Sequence, residues 1–207
     1  MRGDTGGTGD TGLCLKPQEI ALLHGGPRAA VTVAVVALYL RGAVEAGRPG
    51  TVRAAEAASP GPRWEDLETA VLTSLREPAG LRQLAGRRDI RLSVALMRVG
   101  LAEAGLLGYP RLRPTRAARR QVRALREQHP LPESRRCLTD HAKLLAVALH
   151  DEAALRALVP RFALRAGLTA RAPVAGRGLL RHSPHGGDAP FHGRSWYSCG
   201  SGGGGTG

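Results

Sequence analysis

The sequence predicts a mainly α protein: two tandem winged-helix-like units with short β-hairpin wings, a disordered N-terminus and a Gly-rich C-terminal tail. Three observations lead there. A pattern of short helix, apolar helix, Gly-containing turn and basic strand-like piece occupies about 17–55 and recurs over about 66–116. Aromatic residues are only 3% of the 207, so the core has to be built from Leu, Val and Ala in thin helical layers. Gly (28) and Pro (14) limit the share of chain open to regular core and punctuate the apolar segments.

Residues 1–13, polar and Gly-rich, are expected to be a disordered leader, with no apolar segment of signal-peptide type. The first winged-helix-like unit spans 14–58. Pro17 suits the first turn of a helix, Glu19 lies near its positive end, and His24-Gly25-Gly26 ends it. Pro27 opens a second helix to about Arg41, with Val31, Val35 and Leu38 in one stripe and Val33, Val36 and Leu40 over much of the rest. An apolar surface nearly all round predicts burial. Gly42 ends it, and a hairpin follows: strand 43–46, turn 47–50, strand 51–54.

The second unit spans 59–130. A helix is expected over 64–75, with Leu67, Val71, Leu72 and Leu75 on one side and Glu65, Asp66 and Glu68 in its first turn. Leu81–Leu84 suggests a short turn of helix. Asp89 reads as the cap of a helix to Ala104 whose Leu92, Ala95, Leu96 and Val99 face inward. Gly105 closes it, and LLGYPRLRPT resembles a shorter wing. Thr115 reads as the cap of helix 116–128, with Ala118, Val122 and Leu125 inside. Residues 131–172 form a helical extension, with helices over 139–149 and 153–159 and an atypical third end-piece in RFALRAGLTARAP. Residues 173–207 read as a disordered tail.

The opening LKPQEIALLHGGPRAAVTVAVVALYLRGAVEA carries a further signal in Leu15, Pro17, Glu19, Ile20, Ala21, Leu23, Gly25, Gly26, Pro27 and Arg41-Gly42. It resembles the soluble domain of an uncharacterised family of actinobacterial membrane proteins with a Gly- and Cys-rich tail. The resemblance covers roughly 13–130, and Cys199 with its Gly run adds weakly to it. Family members carry transmembrane helices. The longest apolar run here, Ala29 to Leu40, has twelve residues, below the roughly 20 a spanning helix needs. The resemblance implies a soluble relative or a shortened member, and no catalytic residue. A cytoplasmic soluble domain without a transmembrane segment is expected.

Net charge is +13, which favours acidic partners. Only Lys16 and Lys143 are lysines, so much of the charge reflects an Arg-, Ala-, Gly- and Pro-rich composition. The sharpest feature is an outer stripe on helix 116–128: Arg116, Arg119, Arg120, Arg123 and Arg126. Residues 111–136 hold nine arginines against two glutamates, a net of +7. Guanidinium forks match phosphate oxygens, so these five, with Arg91 and Arg98, seven residues apart on one helix face, are the candidate phosphate contacts. The same stripe can serve as a solvated surface or meet a protein.

No dinucleotide fingerprint, P-loop or G-x-S-x-G elbow occurs, and Ser93, Ser134 and Ser195 form no readable triad. His129, Cys137 and His141 give H-x7-C-x3-H without the further ligands a structural zinc needs. His182, His185, His192 and Cys199 fall in the tail. Three distant cysteines, Cys14, Cys137 and Cys199, form no disulfide framework. The expectation is a non-enzymatic scaffold or protein-interaction module without cofactor or metal. The alternative is a winged-helix nucleic-acid-binding regulator contacting DNA phosphates through the Arg-rich helix. A third reading is peripheral contact with an anionic membrane.

Overall fold

Pro17 and Glu19 start the first helix as their chemistry requires: proline has no N–H to lose there, and the Glu19 carboxylate accepts the Lys16 N–H at 2.8 Å. The computed structural model describes residues 15–56, 58, 61, 64–132 and 138–169. The leader 1–13 and the tail 173–207 lie outside them. The described residues form a mainly helical unit with two small antiparallel strand pairs. In order these are α1 (Pro17–Leu40), β1 (Val44–Ala46), β2 (Val52–Ala54), α2 (Asp66–Ser74), α3 (Leu81–Gly86), α4 (Arg88–Glu103), β3 (Leu107–Gly108), β4 (Arg113–Pro114), α5 (Arg116–Gln128), α6 (Asp140–Leu158) and α7 (Pro160–Arg165).

α1 breaks where the sequence places the break. Gly26 takes φ +76°, Pro27 restarts the helix, and the two pieces run on as one kinked element. At 24 residues α1 is long and apolar enough to cross a bilayer, unlike the twelve-residue run read from sequence. Its apolar residues from Ala30 to Leu38 are buried, chiefly by α6 and also by α2 and α3.

Three helices end alike. After α1, Gly42 takes φ +73° and the Ala43 N–H reaches back to the Leu38 carbonyl at 2.8 Å. After α4, Gly105 takes φ +71° and Leu106 N–H bonds the Leu101 carbonyl at 2.8 Å. After α7, Gly167 takes φ +69° and Leu168 N–H bonds the Ala163 carbonyl at 2.8 Å. Each is a six-to-one closure around a left-handed glycine, which satisfies carbonyls the helix end leaves open.

The first two closures lead into hairpins. β1 and β2 pair Val44 with Ala54, Glu45 with Arg53 and Ala46 with Val52, and Arg53 donates to Glu45 across the pair at 2.8 Å. Ala79, between α2 and α3, bridges to Val52 through two backbone bonds of 2.9 and 3.0 Å, tying the second half to the first hairpin. The tip is held too, since Gly50 N–H donates to the Arg165 carbonyl at 2.8 Å. β3 and β4 pair Leu107 with Pro114 and Gly108 with Arg113, and Tyr109 at their turn is 71% exposed.

One helix cap differs from expectation. Asp89 is not the cap of α4: Arg87, extended after α3, takes that place, and Asp89 lies in the first turn. The guanidinium of Arg87 donates to the Ser74 carbonyl, which holds the α3–α4 corner against the end of α2. The helices expected over 139–149 and 153–159 run on as α6 but are separated, between them, by a kink at Asp151, whose φ is +45°. Thr115 and Thr139 cap α5 and α6, accepting from Ala118 N–H and Ala142 N–H at 3.2 Å each.

Among the described residues, one hydrophobic cluster holds residues from Ile20 to Ala166. Tyr39 stacks on Phe162 with ring centroids 3.9 Å apart, joining α1 to α7. Among the described residues, one carboxylate lies inside this core. Glu68 of α2 is 1% exposed. It accepts from the Gln18 side chain at 3.0 Å, from the Glu65 N–H at 3.2 Å and from the Arg41 guanidinium. The charge tolerates burial because all its bonds come from donors and one is a cation. It clamps both ends of α1 to α2.

Candidate functional site

α4 carries two apolar stripes. Ile90, Val94, Met97 and Leu101 form one, at the four-three-four spacing of a helix face; Leu92, Leu96 and Val99 form the other, with Ala95 beside them. The first packs on α2, α1 and α3: Ile90, Val94 and Leu101 are buried and Met97 is partly so. The second faces away. Leu92 is 59% exposed, Leu96 60% and Val99 42%, and Ala95 is exposed with them. The expectation that Leu92, Ala95, Leu96 and Val99 face inward is therefore corrected. Both stripes have helical periodicity, so periodicity cannot choose between them; the choice is made by α2 and α1, on which the Ile90 stripe fits.

The exposed stripe is framed by charge. Arg88 and Asp89 stand at its N-terminal end and Glu103 at its C-terminal end, all exposed. Arg88 and Glu103 take part in no ion pair among the described residues. Along one side opens a groove of about 260 Å³ lined by Leu96, Gly100 and Ser93 and by the acidic Glu19, Glu65 and Asp66. Lys16 reaches Glu65 at its edge, and that hydrogen bond raises the Lys16 pKa above its ordinary value of 10.5.

The arginines divide. On α4, Arg91 is exposed and Arg98 partly buried. On α5, Arg116, Arg119, Arg120 and Arg123 are exposed, while Ala118 and Val122 are buried as expected. Arg123 pairs with Glu127 one turn on, at 3.2 Å. Arg126 faces inward instead: its Nε donates to the Leu149 carbonyl at 2.6 Å and its terminal nitrogen meets His24 Nε2. His24 Nε2 lies 2.9 Å from the Asp151 carboxylate. Arg126 thus stitches the kink of α1 to the bend of α6 and belongs to the scaffold, a role sequence could not reveal because its partners are a distant carbonyl and a distant ring. Arg119 and Arg123, with Arg126, His24, Leu23, Val122 and Pro114, line an open cleft of about 590 Å³. α4 packs on α2, α1, α3 and β3, whereas α5 packs on α1, α6 and β4, so the two sets of arginines stand on helices that share only α1 among these neighbours.

Other sequence candidates are placed as follows. Ser93 Oγ donates to the Asp89 carbonyl at 3.1 Å, and Asp140 pairs with Lys143. His129 and His141 line one cleft of about 410 Å³, and the His150 ring meets the His129 carbonyl at 2.8 Å. Cys14, Ser134, Cys137, His182, His185, His192, Ser195 and Cys199 lie outside the described residues. Among the described residues no three of His, Cys, Asp and Glu gather as a metal site. Glu68 was legible only as a first-turn acid; its hint was the Arg-Gly end of α1 and a polar Gln18 in an apolar helix. No family model, curated protein or solved structure matches this chain.

Proposed function

We propose that this chain is a non-enzymatic protein-interaction module. In this reading two winged-helix-like units interlock. The first, over 14–58, is α1 with the β1–β2 wing; the second, over 59–130, is α2, α3 and α4 with the β3–β4 wing and α5. α4 is the docking helix. The single observation behind this is the exposed Leu92, Ala95, Leu96 and Val99 stripe. A helix before a wing that reads DNA has to offer hydrogen-bonding side chains to base edges, and the outward face of α4 offers methyl groups. Such a face gains free energy only when covered, about 2 kcal/mol for each large side chain fully buried.

The test is an environment-sensitive apolar dye added to the chain at nanomolar concentration. Dye fluorescence that rises with the wild type and is lost with Leu96→Glu supports an accessible α4 face. No rise with the wild type overturns the reading.

A second reading rests on Arg116, Arg119, Arg120 and Arg123, which stay exposed beside the open α5 cleft: contact with nucleic-acid phosphates. Duplex binding that falls steeply with salt, and falls again in the Arg119→Ala, Arg120→Ala, Arg123→Ala variant, supports it. No binding at low salt removes it.

A further inference from the structure

Within the reading of α4 as a docking helix, we infer that the partner is α4 of a second copy of this chain, packed antiparallel about a two-fold axis. The stripe is self-complementary in that arrangement and in no parallel one. Placed antiparallel with the axis midway between Ala95 and Leu96, Leu92 lies at the level of the second copy's Val99 and Ala95 at the level of its Leu96. Four residues beyond this apolar block on either side, Arg88 comes level with Glu103 of the second copy, and the reverse pair forms at the other end. A parallel pairing would set Arg88 against Arg88 and Glu103 against Glu103. The two charges cannot serve each other within one chain, because fifteen residues of helix separate them by roughly 22 Å. Neither has an ion-pair partner among the described residues. The small Ala95 beside the axis lets the two backbones approach, and the Leu96 side chains meet each other across it.

One charge opposes the arrangement. Asp89 stands at the same level as Arg88, toward the other edge of the stripe, and faces the second copy's Glu103. Two helices of this length cover less than the roughly 1,600 Å² of a standard interface, so a weak, concentration-dependent dimer is expected.

Sedimentation of the full chain from about 1 to 500 μM tests this, alongside four sets of variants. The expected result is a monomer–dimer equilibrium. Leu96→Glu, at a position already 60% exposed and so harmless to the fold, weakens it at least about a hundredfold. Arg88→Glu, which leaves two acids against Glu103 of the second copy, weakens it about tenfold, and adding Glu103→Arg restores it at least to the wild-type level. Asp89→Asn tightens it about twofold. Circular dichroism checks that each variant keeps its helices.

A double charge swap no tighter than Arg88→Glu alone overturns the antiparallel register. A dimer indifferent to Leu96→Glu overturns the site. A chain monomeric at every concentration overturns self-pairing, and the dye measurement then separates two cases. Dye binding abolished by Leu96→Glu leaves α4 as a docking helix for a different protein; no dye binding removes the docking reading as well.

Discussion

α1 and α4 are built on one plan and finished differently. Each ends in a left-handed glycine with a six-to-one backbone closure, and each leads into a hairpin. Each carries apolar residues on opposite sides. On α1 both sides are covered, since α6 lies along it and the tip of the following hairpin is bonded to the end of α7. On α4 the inner side meets α2 and α1 while the outer side, Leu92, Leu96 and Val99, stays exposed, and the following hairpin ends in an exposed Tyr109. For α1 the cover is supplied by the same chain; for α4 we propose that it comes from outside.

Substitutions sharpen that contrast, beginning with matched leucines. Leu38 of α1 is fully buried, so Leu38→Ala should cost about 3 kcal/mol in urea unfolding. Leu96→Ala should change the stability of the dilute monomer by less than about 0.5 kcal/mol. Equal losses would mean that the outer side of α4 is already covered. Next comes the clamp on α1: Glu68→Ala strips Gln18 and Arg41 of their shared acceptor and should cost about 2 kcal/mol, less than a fully buried pair because Arg41 reaches solvent.

The hairpins give a smaller contrast, read as thermal midpoints. Gly105→Ala meets only the strain of its positive φ, about 1 kcal/mol, because the space beside it is open. Gly167→Ala adds a methyl 2.9 Å from the Gly50 backbone at the docked hairpin tip, so it should cost more, about 1.5 kcal/mol. A milder effect at Gly167 would show that the first wing is not held. The smallest effect is at Lys16. Its raised pKa means that the Glu65 bond contributes fully below the ordinary lysine value of 10.5 and is lost as pH rises through the raised value. Both groups reach solvent, so alkaline unfolding curves of Lys16→Met and wild type should converge above that range from a difference of about 0.5 kcal/mol.

Much of the backbone was legible because local chemistry sets it. Pro17, Gly26-Pro27, Gly42, Gly105, Thr115 and Thr139 each act on their own few residues, so breaks, caps and both hairpins lie within a residue or two of where sequence puts them. What sequence could not give are choices made by distant partners. Asp89 resembles a cap, yet Arg87 is drawn to the Ser74 carbonyl and takes the position. α4 has two stripes of equal period, and only α2 and α1 decide which is core. Arg126 shares the periodicity of the α5 stripe but turns in toward Leu149 and His24, which leaves Arg116, Arg119, Arg120 and Arg123 outside. The candidate surface was thus hidden by being read as core.

The most direct test of the contrast is methyl NMR of the 21.8 kDa chain with a soluble nitroxide, followed as protein concentration rises. The account predicts strong relaxation of the Leu92, Leu96 and Val99 methyls in dilute protein, falling together as the dimer forms, with the Leu38 methyls shielded throughout. Methyls of Leu92, Leu96 and Val99 that relax equally at every concentration, or that are as shielded as Leu38 from the start, would contradict it.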